Sequence, residues 1–288
     1  LQDFNGAVHR NYNDVQTIAE ESTAFPGVTR PVAQGGLGFG MKWMMGWMHD
    51  TLHYFKKDPV HRKHHHNDIT FSLAYAFTEN FMLPLSHDEV VYGKKSLLGR
   101  MPGDEWQRFA NLRLLYGFMF THPGTKLLFM GAEIAQYEEW DFEKSLDWEL
   151  LDFLPHAGLK NYVKALNGFY KNTPALYEKA FGSEGFEWIA HDDAQQSIIT
   201  YMRKGHGTKN DVVVVCNFTP TAQKNYRIGL PQSGKIKETF NSDAIEFGGS
   251  GVKNKKAVPI TEQCWNDRDF SAEITIPPLG TVVFQFEK

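Results

Sequence analysis

A chain of 288 residues, 42% hydrophobic and 22% charged, is long enough for two domains and has the balance of an ordinary globular protein. Its formal charge of -4 argues against a dedicated nucleic-acid binder, which would be basic with clustered lysines and arginines. Two cysteines make no disulfide framework, no run of about 20 apolar residues could span a bilayer, and no secretory leader is visible. A cytoplasmic location without nucleic-acid or membrane partners is therefore expected. Nothing fixes the oligomeric state, and a monomer is the default expectation. The chain starts at Leu1 and not at Met, so it is expected to be a piece of a longer polypeptide.

In chain order, residues 1–14 are polar and read as irregular. Val15–Ala19 alternates like a strand and runs into Glu20-Glu21-Ser22-Thr23. The glycines of Gly35–Gly40 miss the G-x-G-x-x-G pattern, since Met41 takes the last place, so a flexible loop at a pocket rim is expected instead of a dinucleotide site. Met41, Met44, Met45, Met48, Leu52 and Phe55 recur at three- and four-residue spacing and predict a helix over Met41–Lys57. The run His61–Asp68 holds four histidines. Adjacent histidines point in different directions and no Cys or H-x-x-x-H pair supports them, so a solvated loop is expected and no metal.

Phe71–Phe77 and Phe81–Leu85 read as strands, although Thr78-Glu79-Asn80 is too short to hold a crossover helix between them. The second strand ends abruptly in Ser86-His87-Asp88-Glu89. Asp104 with Gln107 three residues on predicts the start of a helix reaching about Phe120. Lys126–Met130 is a further strand, and a last helix spans about Ala157–Asn172, ahead of Pro174. Beyond Ala180 the texture changes to short strands separated by turns: 186–190, 197–204, 211–219, 224–230, 235–241, 272–276 and 281–287. That pattern predicts an antiparallel β-sandwich over 180–288, with Cys216 as a small core residue and no catalytic constellation.

The four strands read before residue 180 alternate, imperfectly, with helices, and three of them end in acids. Alternation implies a parallel sheet. Carboxylates at the ends of several strands are the habit of the eightfold β/α barrel, which needs about 250 residues to close. The predicted fold class is thus α/β plus all-β. Residues 1–179 form the carboxyl-terminal half of a (β/α)8 TIM barrel, and 180–288 form a β-sandwich domain. Glu20 and Asp88, each directly after a buried strand, are the candidate catalytic carboxylates and could flank a glycosidic bond. Spacing alone does not choose between retaining and inverting chemistry.

The stretches Thr17–Thr23 (TIAEEST), Gly36–Tyr54 (GLGFGMKWMMGWMHDTLHY), Leu83–Asp104 (LPLSHDEVVYGKKSLLGRMPGD), Lys126–Glu133 (KLLFMGAE) and Ser145–Leu151 (SLDWELL) resemble the bacterial-type 1,4-α-glucan (glycogen) branching enzymes of the α-amylase superfamily. That resemblance implies a transferase that cuts α-1,4-glucan and rejoins the segment to a 6-hydroxyl by a retaining double displacement. It requires no cofactor and takes α-glucan as its partner. By the same resemblance Glu20 matches the general acid/base, Asp88 the third, supporting carboxylate, and His87 the histidine that hydrogen-bonds the sugar. The family's nucleophilic aspartate matches nothing here and is expected just upstream of Leu1, which leaves the chain inactive alone. An amylase-type α-1,4-glucan hydrolase and a non-catalytic glucan-binding fragment are the alternative readings.

Overall fold

Four short strands cross the first part of the chain: β1 (Ile18–Ala19), β2 (Met41–Trp43), β3 (Phe81–Leu85) and β4 (Thr125–Leu128). The computed structural model describes residues 1–207 and 210–287. The strands form one sheet in the order β1-β2-β3-β4, and every neighbouring pair is parallel. Their carboxyl ends therefore open onto one edge. Register places Ala19 beside Lys42 and Lys42 beside Phe81. Paired residues share a face, so Ala19, Lys42, Phe81, Leu83 and Leu85 form one buried row. Met41, Trp43 and Met82 lie on the opposite face, which is only half covered.

Several sequence expectations change here. Phe71–Phe77 is not a strand: Phe71–Ala74 forms a turn of 3-10 helix, and Ser72 beneath it bonds His122 at 3.1 Å. The missing partner of β3 is Met41–Trp43, which helical periodicity had absorbed into the following helix. Helix α2 starts only at Met45 and ends at Phe55. With the strand moved to 41–43, the connection to β3 carries helical turns and the parallel rule is obeyed. The amino-terminal segment is also helical, not irregular, over Gln2–Asn11 (α1). The Gly35–Gly40 loop is tightly folded: Gly36 and Gly38 donate to Pro31 and Arg30, and any Cβ on Gly36 would run into the Arg30 carbonyl.

The longer helices follow their signals. Asp104 accepts from Gln107 N at 2.8 Å and opens α5, Glu105–Thr121, which is buried for most of its length. Helix α6 spans Leu154–Asn172, with α3 (Asn67–Thr70) and α4 (Leu97–Arg100) as short pieces. No helix is long and apolar enough to cross a membrane among the described residues.

Eight strands follow: β5 (Phe186–Ala190), β6 (Ile198–Arg203), β7 (Val212–Asn217), β8 (Gln223–Leu230), β9 (Gly234–Asn241), β10 (Val258–Ile260), β11 (Phe270–Ile276) and β12 (Gly280–Glu287). Six make an antiparallel sheet ordered β10-β9-β12-β7-β6-β5, and β11 pairs with β8. Only β10 escaped the sequence reading, at three residues with Pro259 in the middle. The unbroken run Val212–Cys216 now has its reason. Val213 and Val215 face the β8/β11 layer, while Val212, Val214 and Cys216 face the helices. A strand buried on both faces has no polar alternation to show. Both cysteines are free, and burial raises the Cys216 thiol to about 12.

Three buried arginines cross between the helical part and the antiparallel sheet. Arg62 donates to the Phe218 carbonyl at 2.8 Å, the Phe55 carbonyl at 2.9 Å and Asn111 Oδ1 at 2.8 Å. Arg113 of α5 donates to the Ser242 carbonyl at 2.9 Å and the Phe247 carbonyl at 3.2 Å. Arg203 of β6 reaches the carbonyls of Gly185, Thr121 and Leu176 at 3.1, 2.8 and 3.3 Å. Burial lowers Arg62 and Arg203 to about 10, which leaves both charged at neutral pH. Replacing Arg203 by Met strands three carbonyls and is expected to cost about 3 kcal/mol. In urea, far-UV and near-UV signals should still fall in one transition at a lower midpoint; an unchanged midpoint would refute this role.

Candidate active site

The carboxyl edge of the parallel sheet collects the acids singled out in the sequence, and their bonding divides them into two kinds. Glu20 follows β1 directly and is exposed, with no side-chain hydrogen bond or ion pair among the described residues. Glu21, one residue on, is committed. It meets Lys42 Nζ at 2.6 Å and accepts from Thr23 N at 2.7 Å, while Lys42 also donates to the Thr23 carbonyl at 2.8 Å. The Lys42 ammonium, first, and the Thr23 bonds, next, hold the Glu21 carboxyl down at about 2. Lys42 lies in register with Ala19, which brings its ammonium to the Glu21 carboxylate two residues beyond the strand.

A second pair of acids divides the same way after β3. Ser86 caps a single 3-10 turn, His87–Glu89, and Glu89 reaches back to the Ser86 N–H at 2.6 Å and its Oγ at 2.8 Å. Glu89 is buried in this reciprocal cap, and its carbonyl accepts from Arg100. The cap turns His87 and Asp88 outward. The His87 ring is exposed beside the edge-to-face pair Phe129–Trp140, 6.0 Å from Phe129 and 6.4 Å from Trp140. Asp88 is half-buried, and its Oδ2 meets Lys94 Nζ at 3.2 Å.

Glu20 and Asp88 share this edge but do not bond each other. Strand β2 lies between theirs, which sets the two backbones about 10 Å apart at ordinary strand spacing. Beside Glu21, the loop 21–27 borders an open cleft of about 540 Å³ that Trp43, Tyr75 and Phe81 also line. The Gly35–Gly40 segment does not line this cleft. The sequence reading missed Lys42. The available signal was a lone cation inside a Met- and Trp-rich run, next to a strand that ends in two glutamates.

The histidine run is scattered. His66 turns inward and bonds the His191 carbonyl at 3.0 Å, while His53 of α2 meets Asp68 at 2.8 Å. Among the described residues no three His, Cys, Asp or Glu side chains come together as a metal would need.

Residues 188–287 match the family described as "Alpha amylase, C-terminal all-beta domain". The whole chain is similar to 1,4-alpha-glucan branching enzymes. It is 54% identical to that of Aquifex aeolicus over 287 residues, which are 100% of this chain and 46% of the relative. It is also 54% identical to that of Halothermothrix orenii, covering 99% of this chain and 45% of the relative. The chain thus spans less than half the length of these curated relatives. Among solved structures, the α-amylase of H. orenii superposes with a TM-score of 0.62 at 16% identity, over 99% of this chain and 56% of that one. The Geobacillus thermoleovorans α-amylase complexed with acarbose gives 0.65 at 14% identity, over 100% of this chain and 56% of that one. The chain is therefore related to the branching enzymes in sequence along its whole length, and shares the fold of the corresponding part of α-amylases.

The Glu21–Lys42 pair sets a pH dependence. A carboxyl whose folded pKa is depressed stabilises the fold above its unfolded pKa, about 4.3, and loses that contribution as pH falls through the folded value. Wild type should therefore exceed Glu21→Gln in urea midpoint by a constant margin from neutral pH to about pH 5. The margin should shrink toward zero as the pH approaches 2; one that persists undiminished at pH 2 would contradict the assignment.

Proposed function

We propose that this sequence carries part of the active site of an enzyme that cuts α-1,4-glucan and transfers the segment to a 6-hydroxyl, making an α-1,6 branch. The observation that carries the reading is 54% identity to 1,4-alpha-glucan branching enzymes over 287 residues. In this reading residues 1–179 are the carboxyl-terminal half of the catalytic (β/α)8 barrel and 180–288 are its β-sandwich domain. The partner is an α-glucan in the cytoplasm, and the reaction uses no cofactor.

Glu20 is the general acid/base. It gives its proton to the leaving glycosidic oxygen while an aspartate from outside this sequence attacks the anomeric carbon and forms the glycosyl-enzyme. Glu20, now a carboxylate, takes the proton of a glucan 6-hydroxyl as that oxygen displaces the aspartate, so configuration is retained. Freedom from competing partners suits this role: Glu20 is exposed and uncommitted, whereas Glu21 is tied to Lys42. Asp88 is the supporting carboxylate that holds sugar hydroxyls, and His87, beside the Phe129–Trp140 pair, hydrogen-bonds the sugar at the cleavage point.

In the full-length natural polypeptide, incubation with amylose should lower iodine staining with little new reducing sugar. Release of short reducing sugars in step with the loss of stain would replace the transferase by a hydrolase. Glu20→Gln should cut the rate by about a thousandfold or more with the fold intact; near-normal turnover would refute the acid/base role. The 288-residue chain alone should show no branching, and measurable branching by it would overturn the placement of the nucleophile outside these residues.

A further inference from the structure

Behind Asp88 lies an arrangement that the reaction as written does not use. Residues 90–95, following the His87–Glu89 turn, form a strap, and three bonds fix it to the loop after β4. Trp140 N donates to the Val90 carbonyl at 2.8 Å. The Glu139 carboxylate takes Gly93 N at 2.9 Å on one oxygen and Lys95 N at 2.6 Å on the other. Gly93 and Lys95 both have positive φ, 82° and 63°, and this left-handed backbone on either side of Lys94 converges the two N–H groups on one anion. From the other side Arg100 Nε donates to the Lys94 carbonyl at 2.8 Å. The backbone of Lys94 is thus fixed at both flanks. Its ammonium, at the end of that mount, meets Asp88 Oδ2 at 3.2 Å, while Oδ1 carries no hydrogen bond among the described residues.

We propose that Lys94 is a positioning residue for Asp88, mounted by Glu139: it holds one carboxylate oxygen so that the other faces the hydroxyls of the bound glucan. The inference rests on the sugar-facing role given to Asp88 above. A freely rotating carboxylate on a one-turn helix would offer hydroxyls a moving acceptor. Tethering one oxygen fixes the plane of the group before the sugar arrives. Glu139 comes from the loop after β4 and Asp88 from the loop after β3, so the orientation of Asp88 is set by two strand ends.

The test is the affinity for maltoheptaose of the full-length natural polypeptide, made inactive by Glu20→Gln so that the sugar is not consumed, measured by calorimetric titration with urea midpoints for every variant. Asp88→Asn reports on the underlying reading, and should weaken binding. Lys94→Met should weaken it about three- to fivefold, the size of a half-exposed ion pair. Lys94→Arg should restore most of the loss, and Glu139→Gln should reproduce part of it without touching Asp88. In the Asp88→Asn background, Lys94→Met should have no further effect, which a merely structural role would not produce. Weakening by Asp88→Asn with no effect of Lys94→Met sinks the positioning role and leaves the function standing. If Asp88→Asn is neutral, or the full-length polypeptide binds no maltoheptaose, the reading of Asp88 fails first and the inference with it.

Discussion

The site rests on a sheet only four strands wide, and what keeps that sheet in place is the contact of its helices with a second, antiparallel sheet. Helix α5 lies between the two, buried along most of its length. Arg62, Arg113 and Arg203 then join the layers through main-chain carbonyls and not through carboxylates. Carbonyls at loop and strand ends have fixed positions, so a guanidinium that bonds two or three of them specifies an orientation as well as supplying energy. The cost of burying the charge is offset only while all its partners are present. A seam built this way has little tolerance for sliding, and the carboxyl edge of the parallel sheet inherits that rigidity.

On that edge, partners sort the acids. Glu21 and Glu89 are held by Lys42 and by the Ser86 cap, and each shapes the backbone that presents its neighbour. Glu20 is left uncommitted, and Asp88 is held at one oxygen. Two consecutive glutamates after β1 and the Asp-Glu pair after β3 are therefore the same device used twice. One acid is bonded inward and folds the turn, and the other is turned out by it.

Much of this could be read in the chain itself. The alternation of strands and turns from Phe186 onward, the cap at Asp104 and the strand ending at Leu85 are local signals, carried by residues next to one another. The failures were equally local. Met41–Trp43 is three residues long and its methionines continue the period of the helix that follows, so periodicity assigned it to that helix. Phe71–Ala74 shows the spacing of a strand, but its conformation is set by the contact of Ser72 with His122, fifty residues away in sequence. Lys42 and Glu139 were silent because their importance depends on carboxylate and N–H partners that only the fold brings together.

Under the proposed retaining reaction, the sheet order weighs against Asp88 as the nucleophile. Such a reaction needs acid and nucleophile about 5–5.5 Å apart, close to the distance between neighbouring strands. The neighbour of Glu20's strand within the sheet is β2, which brings Lys42 and Trp43 to that level and no carboxylate. Asp88 stands one strand further on. The remaining place at about the right distance is the other edge of β1, which pairs with nothing among the described residues. In the proposed reaction, a carboxylate at that edge would lie within reach of Glu20, on the side away from Asp88. The same order that separates Glu20 from Asp88 is compatible with the different tasks proposed for them.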